Sequence, residues 1–285
     1  MSILLHELSD LLTLERIEEN TFRGRSQNIG TGMVFGGQVL GQAISAAQET
    51  VAIDRKIHSA HAYFLRAGDY HLPIMYSVDR TRDGRSYSSR TITAIQNGQP
   101  IFTMMCSFQT KEESDLHYSS NTVIPNFNEG SFEEINLESE SLAERSVRSK
   151  ILSNQPFLLR IPKEETNGQV HHEIQENYWI KANHSLQENT LLQYSLLAYT
   201  SDFRLLTSTL RPVNYRYRLN EVSLATVCHT IWFHREFSLN NWLFVQCDPL
   251  SVCNGRGLSK GSIYREDGKL VATTMQEGVV RKSLR

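Results

Sequence analysis

Between Gly36 and Gln48 the apolar residues Val39, Leu40, Ala43, Ile44 and Ala47 return at three- and four-residue intervals, which predicts a helix with a buried stripe. Gln38, Gln42 and Gln48 fall between them and are expected on its polar side. Its many small residues (Gly41, Ala43, Ser45, Ala46, Ala47) would let a second backbone come close, as for a helix lying in the concavity of a sheet. The rhythm then changes. Residues 57–66, 74–81, 86–96 and 100–109 are rich in β-branched and aromatic side chains and read as strands. Asp83-Gly84 and Asn97-Gly98, dipeptides that tolerate the positive φ of tight turns, punctuate them. One helix followed by a run of antiparallel strands is an α+β unit.

The same order returns in the second half. A strand-like stretch at 174–183 precedes an apolar helix at 191–203, and strands follow near 224–235, 242–248, 257–265 and 269–281. HAYFLR from His61 parallels HTIWFHR from His229, Asp83-Gly84-Arg85 parallels Asn254-Gly255-Arg256, and Asn97-Gly98 parallels Asp267-Gly268. Two turn signals at nearly equal spacing in each half predict tandem α+β units sharing a sheet or an interface. Between about Thr110 and Gly168 the chain turns polar, with a helix expected near residues 133–152. The expected division is therefore an N-terminal unit at 1–115, a connecting segment at 116–168 and a C-terminal unit at 169–285.

A chain of 285 residues is long enough for two such cores. Its 29 basic and 31 acidic residues leave a net charge of −2, which supplies no field for a polyanion, so nucleic acid is not an expected partner. No apolar run approaches the roughly 20 residues of a membrane-spanning helix. The first twenty residues lack the basic start, apolar stretch and cleavage site of a signal peptide, and RKSLR at the other end is only a shuffled likeness of a peroxisomal SKL address. Cys106, Cys228, Cys247 and Cys253 form no CxxC pair and read as reduced thiols, which fits a cytoplasmic setting.

Strong cofactor motifs are missing. Residues 32–41 (GMVFGGQVLG) are glycine-rich without either phosphate-loop spacing, so Gly36 and Gly37 serve either close packing or a ligand carbonyl or phosphate facing the helix start. The ten histidines show neither HExxH nor Cys/His ligand spacing, so no metal is expected. His58 and His229 could each turn inward, as hydrogen-bonded structural groups. Cys228 and His229 are strand neighbours facing opposite sides and cannot form a thiol–imidazole pair. Three polar residues stand where apolar ones would pack better: Asp202 after LLQYSLLAYTS, Thr226 within VSLATV and Gln276 within VATTMQEGVV. Each also has an ordinary explanation, as a helix end, a good strand former and a solvent-facing position.

Taken together, GMVFGGQVLGQA, HAYFLRAGD, DGRSYSSRTITAIQNGQPIF, YTSDFRLL, TIWFHREF and ATTMQEGVVR resemble the acyl-CoA thioesterase II family over nearly the whole chain. The resemblance implies a double hot-dog fold: two units, each a long helix wrapped by an antiparallel sheet. It also implies hydrolysis of fatty acyl-CoA to free fatty acid and coenzyme A, with no cofactor. In that family an Asp, a Ser or Thr and a Gln hold the hydrolytic water, which by local motif falls on Asp202, Thr226 and Gln276. Cys228 departs from the family, whose members usually carry Asp before the His of this strand. Asp202 would act as base, with the Gly36-Gly37 helix start or the Gln276 amide as candidate donors to the oxyanion. Two other readings are a hot-dog enoyl-CoA hydratase, whose Asp–His spacing is absent here, and a non-catalytic acyl-CoA sensor, for which no DNA-binding segment is visible. Hot-dog sheets leave faces or edges to cover, so a homo-oligomer, dimer or larger, is expected.

Overall fold

The computed structural model describes residues 3–30, 32–119, 124, 132–134, 156–162, 175–186, 190–213 and 221–283. The chain starts with α1 (Ile3–Leu12), β1 (Glu15–Glu18) and β2 (Thr21–Gly24), followed by α2 (Gly36–Gln48). Four strands complete the first half: β3 (Arg55–Phe64), β4 (Ile74–Asp83), β5 (Tyr87–Gln96) and β6 (Gln99–Thr110). The short β7 (Phe132–Glu134) and β8 (Phe157–Pro162) lead to β9 (Glu176–Ala182), α3 (Thr190–Ser201) and α4 (Leu205–Ser208). The chain ends with β10 (Val222–Phe233), β11 (Leu243–Cys253), β12 (Arg256–Arg265) and β13 (Leu270–Lys282).

Among the described residues thirteen strands join one sheet in the order β1-β2-β4-β5-β6-β3-β10-β13-β12-β11-β9-β8-β7. The order is nearly palindromic about the β3–β10 junction: β4-β5-β6-β3 on one side is answered by β10-β13-β12-β11 on the other. Each half is a long helix against an antiparallel sheet, which is the double hot-dog arrangement. At the junction His61 pairs with Thr230 and Ala62 with His229, so the two halves share continuous backbone hydrogen bonding. HTIWFHR is one residue longer than HAYFLR, and the structure resolves this by placing His61 opposite Thr230 rather than equivalent to His229. His61 is therefore exposed on the outer face while His229 is buried beneath the helices.

α2 and α3 lie antiparallel against each other. The Ser45 and Ser195 hydroxyls meet at 2.9 Å. Near one end of this contact Gln48 Nε2 donates to the Leu191 carbonyl at 3.2 Å, and at the other a Cβ on Gly37 would collide with the Tyr199 carbonyl oxygen. Enclosure on every side corrects the sequence expectation for α2: Gln38, Gln42 and Gln48, expected on a polar face, are all buried. They meet backbone instead. Gln42 Nε2 donates to the carbonyls of Leu11 at 2.7 Å and Arg25 at 2.9 Å, while its oxygen accepts from Tyr76 at 2.7 Å. A buried amide is tolerable only when satisfied in this way.

The hairpin turns also differ from their sequence pairing. Asn97-Gly98 (φ 48° and 69°) and Asn254-Gly255 (φ 50° and 70°) adopt the same left-handed pair, whereas at Asp267-Gly268 only the glycine does, and Gly84 has no positive φ. The β4–β5 and β12–β13 connections are longer, so they turn with fewer left-handed residues. In the connecting stretch, residues 133–134 are strand rather than helix, and the rest of the helix expected to reach 152 lies outside the described residues.

Candidate active site

Asp202 follows the last residue of α3 and brings its carboxylate to the start of α2, across the boundary between the halves. The Gly37 backbone N–H donates to it. The residue before that helix, Phe35, offers no side-chain cap, so a carboxylate from the other half satisfies a helix end that its own sequence leaves open. Space there is minimal. A Cβ on Gly36 would stand 2.7 Å from Asp202 Oδ2 and 3.2 Å from the Phe64 ring, so close approach requires this glycine. Of the two uses foreseen for the pair, Gly37 thus serves close packing and also gives its N–H to Asp202.

Thr226 on β10 and Gln276 on β13 complete the group. Gln276 Nε2 donates to Asp202 Oδ1 in a short hydrogen bond and to Thr226 Oγ1 at 2.7 Å. Thr226 Oγ1 donates in turn to Asp202 Oδ1 at 3.5 Å. The structure thus gathers Asp202, Thr226, Gln276 and the Gly36-Gly37 helix start around one carboxylate. Gln276 is buried rather than solvent-facing.

A β-bulge makes this meeting possible. Thr226 pairs with Gly278 and Cys228 with Glu277, leaving Val227 without a partner on β13. His229, Ile231 and Phe233 point inward, and strict alternation from them would turn Thr226 outward. The extra residue reverses the parity, so Thr226 faces the helices beside Gln276. Cys228 lies on the other face, opposite Glu277 on β13 and exposed Tyr63 on β3, away from the carboxylate.

Aromatic rings close the surroundings: Phe35 stacks on Phe203 at 5.8 Å and meets Tyr199 edge-on at 5.1 Å, and Phe157 meets Phe203 at 6.0 Å. Burial in these surroundings pushes the Asp202 carboxyl up to about 7, against the opposing pull of hydrogen bonds from Gln276, Gly37 and Thr226. A carboxylate titrating near neutrality is matched to accept a proton at working pH, and the hydroxyl and amide beside it can orient a water. Sequence reasoning did not single out this aromatic wall, although Phe35 lies within GMVFGGQVLGQA and Tyr199 and Phe203 within YTSDFRLL.

Below the group, His229 is buried and neutral, its imidazole pushed down to about 4 by burial, with Nε2 2.9 Å from Ser201 Oγ. The sequence reading of an inward, hydrogen-bonded histidine holds for it. His58 instead meets Ser107 Oγ at 2.9 Å and the exposed Tyr87 edge-on. The segment after Asp202 is tied down by a buried ion pair between Arg204 and Glu176 of β9. Among the described residues no three His, Cys, Asp or Glu side chains are grouped to hold a metal, and no helix is long and apolar enough to cross a membrane.

Known proteins carry the same organisation. Residues 23–109 match the model of an acyl-CoA thioesterase N-terminal domain, and residues 151–279 that of acyl-CoA thioesterase. Acyl-CoA thioesterase 2 of Haemophilus influenzae is 37% identical, over 99% of this chain and 100% of its own length. The crystal structure of an acyl-CoA thioesterase II from Mycobacterium marinum superimposes with a TM-score of 0.77 at 31% identity, covering 97% of this chain and 98% of that one. A hot-dog protein of unknown function from Alicyclobacillus acidocaldarius, 17% identical, shares the fold with a TM-score of 0.76 over 98% of this chain and 99% of its own. With both halves matched in order and relatives aligned from end to end, the chain belongs to the acyl-CoA thioesterase family.

Proposed function

We propose that this protein hydrolyses fatty acyl-CoA to free fatty acid and coenzyme A by direct attack of a water held by Asp202, Thr226 and Gln276. The observation that carries the reading is the convergence of these three side chains, from α3, β10 and β13, on the helix start of the other half. Asp202 takes a proton from the water as its oxygen attacks the thioester carbonyl. With the Gly37 N–H given to Asp202, the Gly36 N–H at the same end of α2 is the donor offered to the carbonyl, where the helix dipole favours the developing oxyanion. Collapse breaks the C–S bond, and because thiolate leaves readily the site needs no strong acid. Attack by water rather than by Thr226 is supported by the partners of the hydroxyl, an amide and a carboxylate with no adjacent imidazole or amine.

The assay is thiol release from acyl-CoA substrates of graded chain length. Turnover by the wild type with loss in Asp202→Asn is expected, and a folded Asp202→Asn variant that retains normal turnover would remove the assigned base.

The same reading includes a homo-oligomer, dimer or larger. Tyr63 and Met105, beside the central junction, are 57% and 51% exposed on the outer face of the sheet, which suits coverage by a second copy. Light scattering at micromolar protein should give at least twice the chain mass, and a monomer would contradict it.

A further inference from the structure

His229 and Gln276 are direct cross-strand partners on the buried face of the β10–β13 pair, each 1% exposed. Side chains so placed have Cβ atoms about 5 Å apart and are neighbours. Each carries a buried polar atom without a partner, His229 Nδ1 and Gln276 Oε1.

Counting hydrogens assigns the role of each atom. Both N–H groups of the Gln276 amide are spent, on Asp202 and Thr226, so its oxygen is an acceptor only. Ser201 donates its single hydroxyl hydrogen to the Ala198 carbonyl at 2.8 Å. The 2.9 Å contact between Ser201 Oγ and His229 Nε2 therefore requires the hydrogen on Nε2, which leaves Nδ1 as a lone pair. Two buried acceptors on adjacent side chains cannot bond each other, and only a donor of two hydrogens satisfies both.

On the reading of Asp202, Thr226 and Gln276 as the water-holding group, we propose that His229 is a positioning residue. A buried water donates one hydrogen to His229 Nδ1 and the other to Gln276 Oε1, so the imidazole fixes which end of the Gln276 amide faces Asp202. The chain runs from Ser201, one residue before Asp202, through His229 and the water to Gln276, and returns to the Asp202 carboxylate. It joins the end of α3 to β10 and β13 in a closed loop. Without it the amide can turn over, placing its oxygen against the carboxylate and removing a donor that holds Asp202 ionised. Of the titratable groups near Asp202, Tyr199 on α3 has its phenol pushed up by burial and then by the Asp202 charge, and His229 acts only through Gln276.

Two substitutions separate this role from simple anchoring. In His229→Asn the side-chain oxygen stands near the position of Nδ1 and keeps the acceptor for the water. In His229→Gln the amide reaches the position of Nε2, keeping the tie to Ser201 and losing that acceptor. For His229→Gln the expected result in thiol-release kinetics is a kcat lower by roughly tenfold or more with KM little changed, and an acid-limb midpoint moved to higher pH. His229→Asn should recover most of the rate. The opposite ranking, or a His229→Gln enzyme with wild-type kcat and midpoint, overturns the proposal.

Nitrogen NMR of the wild-type imidazole needs no variant to fold and should show the hydrogen on Nε2, whereas a hydrogen on Nδ1 makes that atom a donor, excludes a water donating to it and overturns the proposal. Asp202→Asn measured alongside distinguishes the failures. Turnover surviving in that variant removes the base and the positioning role together, while its loss beside an unaltered His229→Gln removes only the role of His229.

Discussion

Replacing Asp202 by Asn should abolish turnover and, at alkaline pH, make the protein more stable. The carboxyl is raised from 3.8 to about 7, chiefly by burial, so the folded protein holds the neutral form more readily than the unfolded chain does. The stability this contributes is fully present below pH 4, falls as pH rises, and is lost above about pH 7, where the fold must carry the ionised form. At about 1.4 kcal/mol per pKa unit, ionisation of Asp202 in the fold costs about 4 kcal/mol at pH 8. Asn avoids that cost. It keeps an oxygen to accept from Gln276 and Thr226, but sets an amide NH2 against the Gly37 N–H, which costs about 1–3 kcal/mol.

The variant should therefore exceed the wild type by about 1–3 kcal/mol at pH 8. Between pH 8 and pH 5 the advantage should shrink by about 3 kcal/mol and the order should reverse. Denaturant unfolding of both proteins at the two pH values measures this, and thiol release at pH 8 should fall by roughly 10²–10⁴-fold. Equal stabilities at both pH values would refute the claim that burial raises the Asp202 carboxyl. Turnover within tenfold of wild type would refute its role as base.

Three further outcomes follow from the same geometry. Thr226→Ser should retain most activity, while Thr226→Val, of nearly the same shape, should lose it and leave the Gln276 donor without its acceptor, which steady-state thiol release will show. Rapid quenching followed by intact-mass measurement should find no acylated protein, and an adduct on Thr226 that forms and decays at the turnover rate would replace direct water attack by an acyl-enzyme. Gly36→Ala should displace the Asp202 carboxylate and cut kcat at small cost in stability, whereas Gly37→Ala, meeting the Tyr199 backbone, should lower stability by about 1–3 kcal/mol or more in thermal unfolding.

Local periodicity and composition carried much of the architecture. The α2 stripe, the β-branched strand runs and the Gly-containing turns depend on short-range preferences that are written in consecutive residues, and the observed elements follow them closely. The repeat carried the tandem organisation, and the misplaced polarity of Asp202, Thr226 and Gln276 marked three positions before any of them had a partner. What those residues meet was decided elsewhere. Asp202 lies 24 residues from Thr226 and 74 from Gln276 along the chain, and they join only because α3 ends against the start of α2 while β10 pairs with β13.

Strand parity counted along the sequence would have turned Thr226 away from that group. Val227 reverses it, and a single unpaired residue is a property of two strands together, invisible in either alone. The glutamines of α2 show the same limit, since their polarity predicts solvent and only the enclosing backbone carbonyls explain their burial. The raised carboxyl of Asp202 belongs wholly to the tertiary structure, because desolvation is set by what surrounds a group and not by its neighbours in the chain.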